Sequence, residues 1–360
     1  MRKLNLSPLV LLLVVVFSCG KKQQDGQLTG VFERPKWGGI NPFGMVYVPS
    51  GTLTIGQNDQ DMFNTHIQKA KAISISGFYM DDTEITNNEY RQFTDWVRDS
   101  IAHTALGHLI DSEDGSTQLV DWEQEIDWSD ETLTDLYFQG ADAFKGVKEL
   151  DSRKFIYEWE WKDWQMAAHS RGIKRNAIIH KEKINIYPDT LCWIRDFSYS
   201  YNEPFTRNYF THPAFDDYPI VGINWKQARA FCYWRTILWN TFKGDEEPNS
   251  EEFRLPTEHE WEWAARGGLE LSPYPWGGPY TRNAKGCLLA NFKPGRGNYP
   301  EDGGQYTVKA DAYFPNEYGL YNMAGNVAEW TETAFHDNMQ NFVHDMNPDI
   351  KYDAKDEDPE

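Results

Sequence analysis

The run Asn322-Met-Ala-Gly-Asn-Val-Ala-Glu329 sets an amide and a carboxylate on either side of a glycine turn. That arrangement suits a hard cation. Calcium takes six to eight oxygens from carboxylates, amide side chains and backbone carbonyls, which closely spaced loop residues can supply. Here Asn322 and Glu329 would offer side-chain oxygens, and Gly325 and Val327 their carbonyls. The competing reading is local: Asn322 and Glu329 cap turns through backbone hydrogen bonds. Nucleophilic chemistry has less to work with, because the cysteines are Cys19, Cys192, Cys232 and Cys287 and none stands in a paired motif. His259 lies between Glu258 and Glu260, but in a segment that opens a helix, where a single histidine serves packing more often than ligation.

The elements that must position these residues are legible in part. Asn41 to Gly56 reads as a strand, a turn at Pro49-Ser50-Gly51 and a second strand, and so as a hairpin. Thr86 is placed to cap a helix that carries Tyr90, Phe93, Val97 and Ile101 on one face. Tyr218 to Trp225 reads as a short strand leading into a helix with Ala228, Phe231, Cys232 and Arg235 at helical spacing.

Composition bounds the rest. A net charge of -20 repels nucleic-acid phosphates, so a nucleic-acid partner is excluded. The acidic residues from Asp353 to Glu360 read as a solvated tail. No linker divides the chain, so one large domain over residues 41–336 is expected, followed by a tail over 337–360. Between about 101 and 210 the sequence carries Trp122, Trp128, Trp159, Trp161 and Trp164, too apolar a set for a disordered segment. These rings either pack the segment onto the domain or form a partner-binding surface, where aromatics are enriched.

The N-terminus has Arg2 and Lys3, an apolar run from Leu9 to Phe17, and Cys19 followed by Gly20. The run is too short for a permanent membrane span. The pattern resembles a bacterial lipoprotein signal over 1–18, with cleavage before Cys19, acylation there, and a polar tether over 19–40. Lys21 and Lys22 differ from the acidic tags that send such lipoproteins outward, which favours the periplasmic face of the outer membrane. Export implies an oxidising compartment, yet Cys192, Cys232 and Cys287 are an odd number once Cys19 carries lipid.

The segments Gly319-Leu-Tyr-Asn-Met-Ala-Gly-Asn-Val-Ala-Glu-Trp330, Phe253-Arg-Leu-Pro-Thr-Glu-His-Glu-Trp-Glu-Trp263 and Ala264-Ala-Arg-Gly-Gly268 resemble the formylglycine-generating-enzyme, or sulfatase-modifying-factor, family. The resemblance implies an α+β, C-type-lectin-like fold with little regular secondary structure, here with a long insertion at about 101–210. It implies calcium at the site above, and a second ion held by Asn291 and Asp302 side chains and by the carbonyls of Phe292 and Gly304. Family enzymes use two copper-binding cysteines near the C-terminus, and no counterpart follows Cys287. The family's closing C-terminal segment also has no match after Trp330, so the chain is expected to stop short of the family end. Cys232 matches a position that relatives bond to a C-terminal cysteine. The His-x-x-x-His-x-Glu pattern of iron-dependent relatives is absent.

Thr83 to Phe93, Trp96 to Ser100 and Tyr187 to Phe197 resemble one branch, the lipoproteins K of gliding motility and type IX secretion. That resemblance implies a non-catalytic periplasmic scaffold. It would be lipid-anchored and build a homo-oligomeric ring with a soluble partner of the gliding-motility protein N type. The alternative it leaves open is a copper-dependent formylglycine-generating oxidase acting on sulfatase cysteines.

Overall fold

The computed structural model describes residues 41–351 except 57–69, 113–117, 145, 196–200, 244–249, 296, 337–338 and 342. The signal and tether expected over 1–40, with Cys19, and the acidic residues 353–360 lie outside the described residues.

β1 (Met45–Val48) and β2 (Gly51–Ile55) flank the expected turn but do not pair with each other. β1 instead pairs antiparallel with β4 (Phe78–Asp81), and β2 with β3 (Lys71–Ile75), Leu53 facing Ile73. The cause is the Trp263 ring. It fills the corner so closely that a Cβ on Gly51 would lie 2.4 Å from it, while its Nε1 donates to Pro49 O at 2.8 Å. The wedge parts the two strands, which correct the hairpin reading by taking other partners.

α1 (Asn87–Leu106) starts where the sequence placed it. Thr86 and Glu89 close a capping box, Glu89 Oε2 accepting from Thr86 N at 2.8 Å and Thr86 Oγ1 from Glu89 N at 3.3 Å. Tyr90, Phe93 and Val97 are buried along one face. The segment that follows holds β5 (Leu109–Asp111) paired with β6 (Gln118–Val120), and the longer hairpin of β7 (Ile156–Lys162) and β8 (Ile179–Asn185). Short helices α2 (Trp164–His169), α3 (Cys192–Arg195) and α4 (Glu203–Asn208) fill the connections.

The expected strand at Tyr218–Ile220 is only a bridge between Pro219 and Thr86, joined by Ile220 N donating to Ile85 O at 2.9 Å. α5 (Trp225–Lys243) and α6 (Glu258–Arg266) then complete the frame. Phe93 of α1, Phe231 and Trp234 of α5, and Phe155, Tyr157 and Trp159 of the insertion form one core cluster. Fully burying one such ring stabilises by about 1.5–3 kcal/mol, so the insertion is part of the core it was thought to decorate. The architecture is α+β, and every sheet among the described residues has two strands.

Candidate functional site

The loops from Asn291 to Glu329 carry almost no regular structure, so individual polar side chains tie them together. Gly325 sits at φ +90°, and a Cβ there would lie 2.2 Å from Asn291 O. Only glycine lets the two loops approach this closely. Asn326 N then donates to Asn291 O at 2.8 Å, and Asn291 Nδ2 donates to Asn326 Oδ1 at 3.0 Å. The two sets of predicted ligands are thus neighbours across a shared backbone contact.

In the second set, Asp302 is the hub. Its Oδ2 accepts from Phe292 N at 2.7 Å and its Oδ1 from Gly304 N at 3.1 Å. Asn291 Nδ2 also donates to Tyr306 O at 2.7 Å, and Asn291 Oδ1 lies beside Gly304. Asn291, Phe292, Asp302 and Gly304 therefore lie together, but Phe292 and Gly304 turn their N–H groups toward the Asp302 carboxylate rather than offering the carbonyls expected of them. One carboxylate and one amide oxygen remain as oxygen donors here, fewer than the six to eight that calcium takes.

In the first set, Asn322 stands at φ +48° and Asn326 at φ +62°, left-handed positions that asparagine tolerates better than most residues. Asn322 Nδ2 donates to Ala310 O at 2.9 Å and to Glu84 Oε2 at 3.0 Å, while its Oδ1 is buried with no hydrogen-bond partner. A buried amide oxygen without a donor is an acceptor awaiting a cation or a water. That oxygen is of the type a calcium ion would take as a ligand. Glu329 is exposed as a residue, but its carboxyl folds against Trp261, whose Nε1 donates to Oε2 at 2.7 Å, and desolvation there pushes its pKa up.

The sequence reading missed Glu84. Its buried carboxylate accepts from Asn322 Nδ2 and twice from Asn326 Nδ2, each at 3.0 Å. Desolvation pushes its pKa up to about 7, the two asparagines oppose that rise, and the charge of Glu329 adds to it. The Glu84 carboxyl stands beside Asn322, and Glu329 is near enough for its charge to raise the Glu84 pKa further. The sequence signal was an acidic residue inside the apolar-flanked Thr83-Glu84-Ile85-Thr86 segment, one that the helix cap did not need.

The thiols stand elsewhere. Cys192, Cys232 and Cys287 are all unbridged. Burial pushes the Cys232 thiol up to about 12 and raises Cys192 as well. His259 is buried with both ring nitrogens lacking partners, and burial lowers its pKa. It packs inside the helix start, away from solvent.

The expected docking aromatics divide. Trp122 and Trp164 are exposed, at 46% and 61%. Trp128 and Trp161 are half-buried, the latter stacked on His180 at 4.2 Å. Trp159 is 3% exposed and belongs to the core, beneath the Arg229 guanidinium at 5.1 Å. It therefore packs the insertion down and offers nothing to a partner, which corrects its place in the docking set.

The sequence is similar to those of known proteins. The formylglycine-generating enzyme of Mus musculus is 26% identical over 294 residues, which cover 80% of this chain and 57% of the relative. The enzyme of that name from Bos taurus is 25% identical over 81% of this chain and 58% of its own length. The chain thus spans a little over half the length of these curated relatives. A protein named inactive C-alpha-formylglycine-generating enzyme 2, from Bos taurus, is 38% identical over 120 residues, 33% of this chain and 34% of its own. Among solved structures, PvdO from Pseudomonas aeruginosa aligns over 86% of this chain and 77% of its own at 13% identity, with a TM-score of 0.44. Residues 40–352 match the sulfatase-modifying factor enzyme 1-like domain, and the chain belongs to that family.

Proposed function

We propose that this chain is a non-catalytic scaffold on the sulfatase-modifying-factor fold. In this reading it is a lipoprotein K of the type IX secretion and gliding apparatus. Acylated at Cys19, it faces the periplasm from the outer membrane and forms a ring with its own copies and a soluble partner of the gliding-motility protein N type. The observation that carries the non-catalytic part is the state of the thiols. Thiolate, not thiol, is the reactive form, and burial drives both Cys232 and Cys192 away from it. A relative whose name calls it inactive supports the view that this fold persists without the oxidation. Trp122 and Trp164 remain as exposed aromatic anchors for contacts. No helix among the described residues is long and apolar enough to cross a membrane, so in this reading attachment falls to the lipid.

Calcium is structural in this reading. Asn322, Gly325, Val327 and Glu329 would hold one ion, and Asn291, Phe292, Asp302 and Gly304 another, so that each crosslinks loops lacking regular structure. Chelation then lowers the melting temperature of the wild-type chain, and Asn322→Ala removes most of that response. An unchanged melt on chelation ends the calcium reading.

The scaffold itself is tested by the native mass of the detergent-extracted protein from its own cell, with co-purifying chains identified by mass spectrometry. A large assembly with one stoichiometric soluble partner supports it, and a lone monomer sinks it. Cys19→Ser should release the protein from the membrane fraction. A second reading, copper-dependent formylglycine formation on sulfatase cysteines, draws on the relatives named for that activity. Oxygen-dependent conversion of a sulfatase cysteine peptide by the full-length protein would favour it.

A further inference from the structure

The C-terminal end of α1 brings the Nδ1 atoms of two tilted imidazoles together. Gly107, at φ +74°, turns the chain back on the helix, and His108 N donates to His103 O at 2.9 Å. This places His103 Nδ1 and His108 Nδ1 3.1 Å apart. His103 is 4% exposed and its ring is covered edge-on by Trp122, with centroids 5.3 Å apart. His108 is half-buried and leaves a path from solvent. Asp121 arrives from the end of β6, its N–H donating to His108 O at 3.0 Å. The Asp121 carboxyl is held below the usual range first by Gln124 and by the Glu123 amide, and further by the nearby imidazoles.

We propose that His103 and His108 form a site for a divalent transition-metal ion of the zinc class, bound through both Nδ1 atoms. Imidazole nitrogens are the preferred donors for zinc, copper and nickel. At a metal–nitrogen distance of about 2.05 Å, nitrogens 3.1 Å apart subtend roughly 98° at the metal, and a tetrahedral site would need them about 3.3 Å apart. The nitrogens thus need to part by only a few tenths of an ångström, with the shared proton lost and the tilted rings turned so that both lone pairs meet at the ion.

The surroundings favour a cation on independent grounds. The negative end of the α1 dipole points at the pair, and the Asp121 carboxylate adds a full charge within electrostatic reach. Among the described residues no cage of three or more histidine, cysteine or acidic side chains is assembled. The site thus provides two protein donors with Asp121 close by, and water completes the coordination. It lies on the inserted segment, away from the Asn322 and Asp302 loops, and is independent of the scaffold reading.

The test titrates the full chain with zinc by calorimetry and with cobalt as an optical probe, calcium being present in excess to fill oxygen sites. One equivalent should bind, with a visible cobalt band, and His108→Gln should weaken it more than tenfold. Asp121→Asn should weaken it several-fold. His103 is buried and its replacement risks the fold, so His108→Gln is the primary variant and its melting curve is the control. If that variant still misfolds, nitrogen-15 histidine spectra of the wild type decide, since zinc must move the Nδ1 signals of two histidines. Absence of zinc binding in the wild type, or retention of the cobalt band in a folded His108→Gln, would mean an ordinary imidazole–imidazole hydrogen bond and overturn the proposal.

Discussion

Gly325→Ala probes the contact that joins the two ligand loops. Alanine at φ +90° meets the steric cost of a left-handed backbone, about 1–2 kcal/mol. Its Cβ would also lie 2.2 Å from the Asn291 carbonyl oxygen, so that carbonyl must move by about an ångström. Moving it breaks the hydrogen bond from Asn326 N at 2.8 Å, leaving buried groups unpaired at a cost of about 1–3 kcal/mol. The sum is about 2–5 kcal/mol. At about 2 °C per kcal/mol for a chain of this size, the melting temperature should fall by roughly 4–10 °C. Gly286→Ala is the matched control. It has φ +86° with nothing within 4 Å of a Cβ, so it should show only the backbone cost. Thermal melts followed by tryptophan fluorescence compare the two. Equal shifts for both variants would refute the claim that close approach to Asn291, beyond backbone conformation, is what demands the glycine.

Three further outcomes are expected. Trp159→Ala should destabilise by about 3–5 kcal/mol and Trp164→Ala by less than about 0.5, because one ring is in the core and the other is exposed; denaturant midpoints measure both. Glu260 loses solvent on burial, which opposes ionisation, but the fork to Arg254 at 2.7 Å and the Thr257 cap hold its pKa below the usual value. A carboxyl depressed in the fold stabilises above its unfolded pKa, and that contribution vanishes as pH falls through the folded value. Glu260→Gln should therefore cost about 1 kcal/mol at neutral pH and flatten the acid limb of the stability curve below about pH 4.5. With its thiol near 12, Cys232 is only about one part in ten thousand thiolate at pH 8, so native alkylation read by mass spectrometry should label exposed Cys287 and spare Cys232.

How far these elements could be read in advance depended on whether their cause was local. The α1 capping box is a contact between residues close in sequence, and Thr86 with Glu89 announced it together with the apolar face behind it. The β1–β2 turn was also legible, but its failure to close as a hairpin was not, because Trp263 lies far along the chain. Trp159 and Trp164 show the same limit. Nothing in a tryptophan-rich run says which ring will meet α5 and which will meet water. The closeness of the Asn291 and Asn322–Asn326 loops was legible through the glycine-centred spacing around Gly325. Glu84 was not, since its importance comes from Asn322 and Asn326, which lie far along the chain.

That dependence on distant single contacts follows from the architecture. With every described sheet only two strands wide, backbone ladders hold little of this molecule together. The loops from Asn291 onward are fixed instead by amide side chains such as Asn316, whose Nδ2 donates to Ala264 O at 2.7 Å, and by the Asp302 hub. Such loops would lose their order if a few polar groups went unpaired, which is why a cation at Asn322 would contribute to the fold whatever the chemistry of the chain. The residues that hold the loops are separate from the thiols, so loss of a reactive cysteine would leave the frame standing. An insertion fused to the core through Tyr157 and Trp159 then carries Trp122 and Trp164 exposed at its surface.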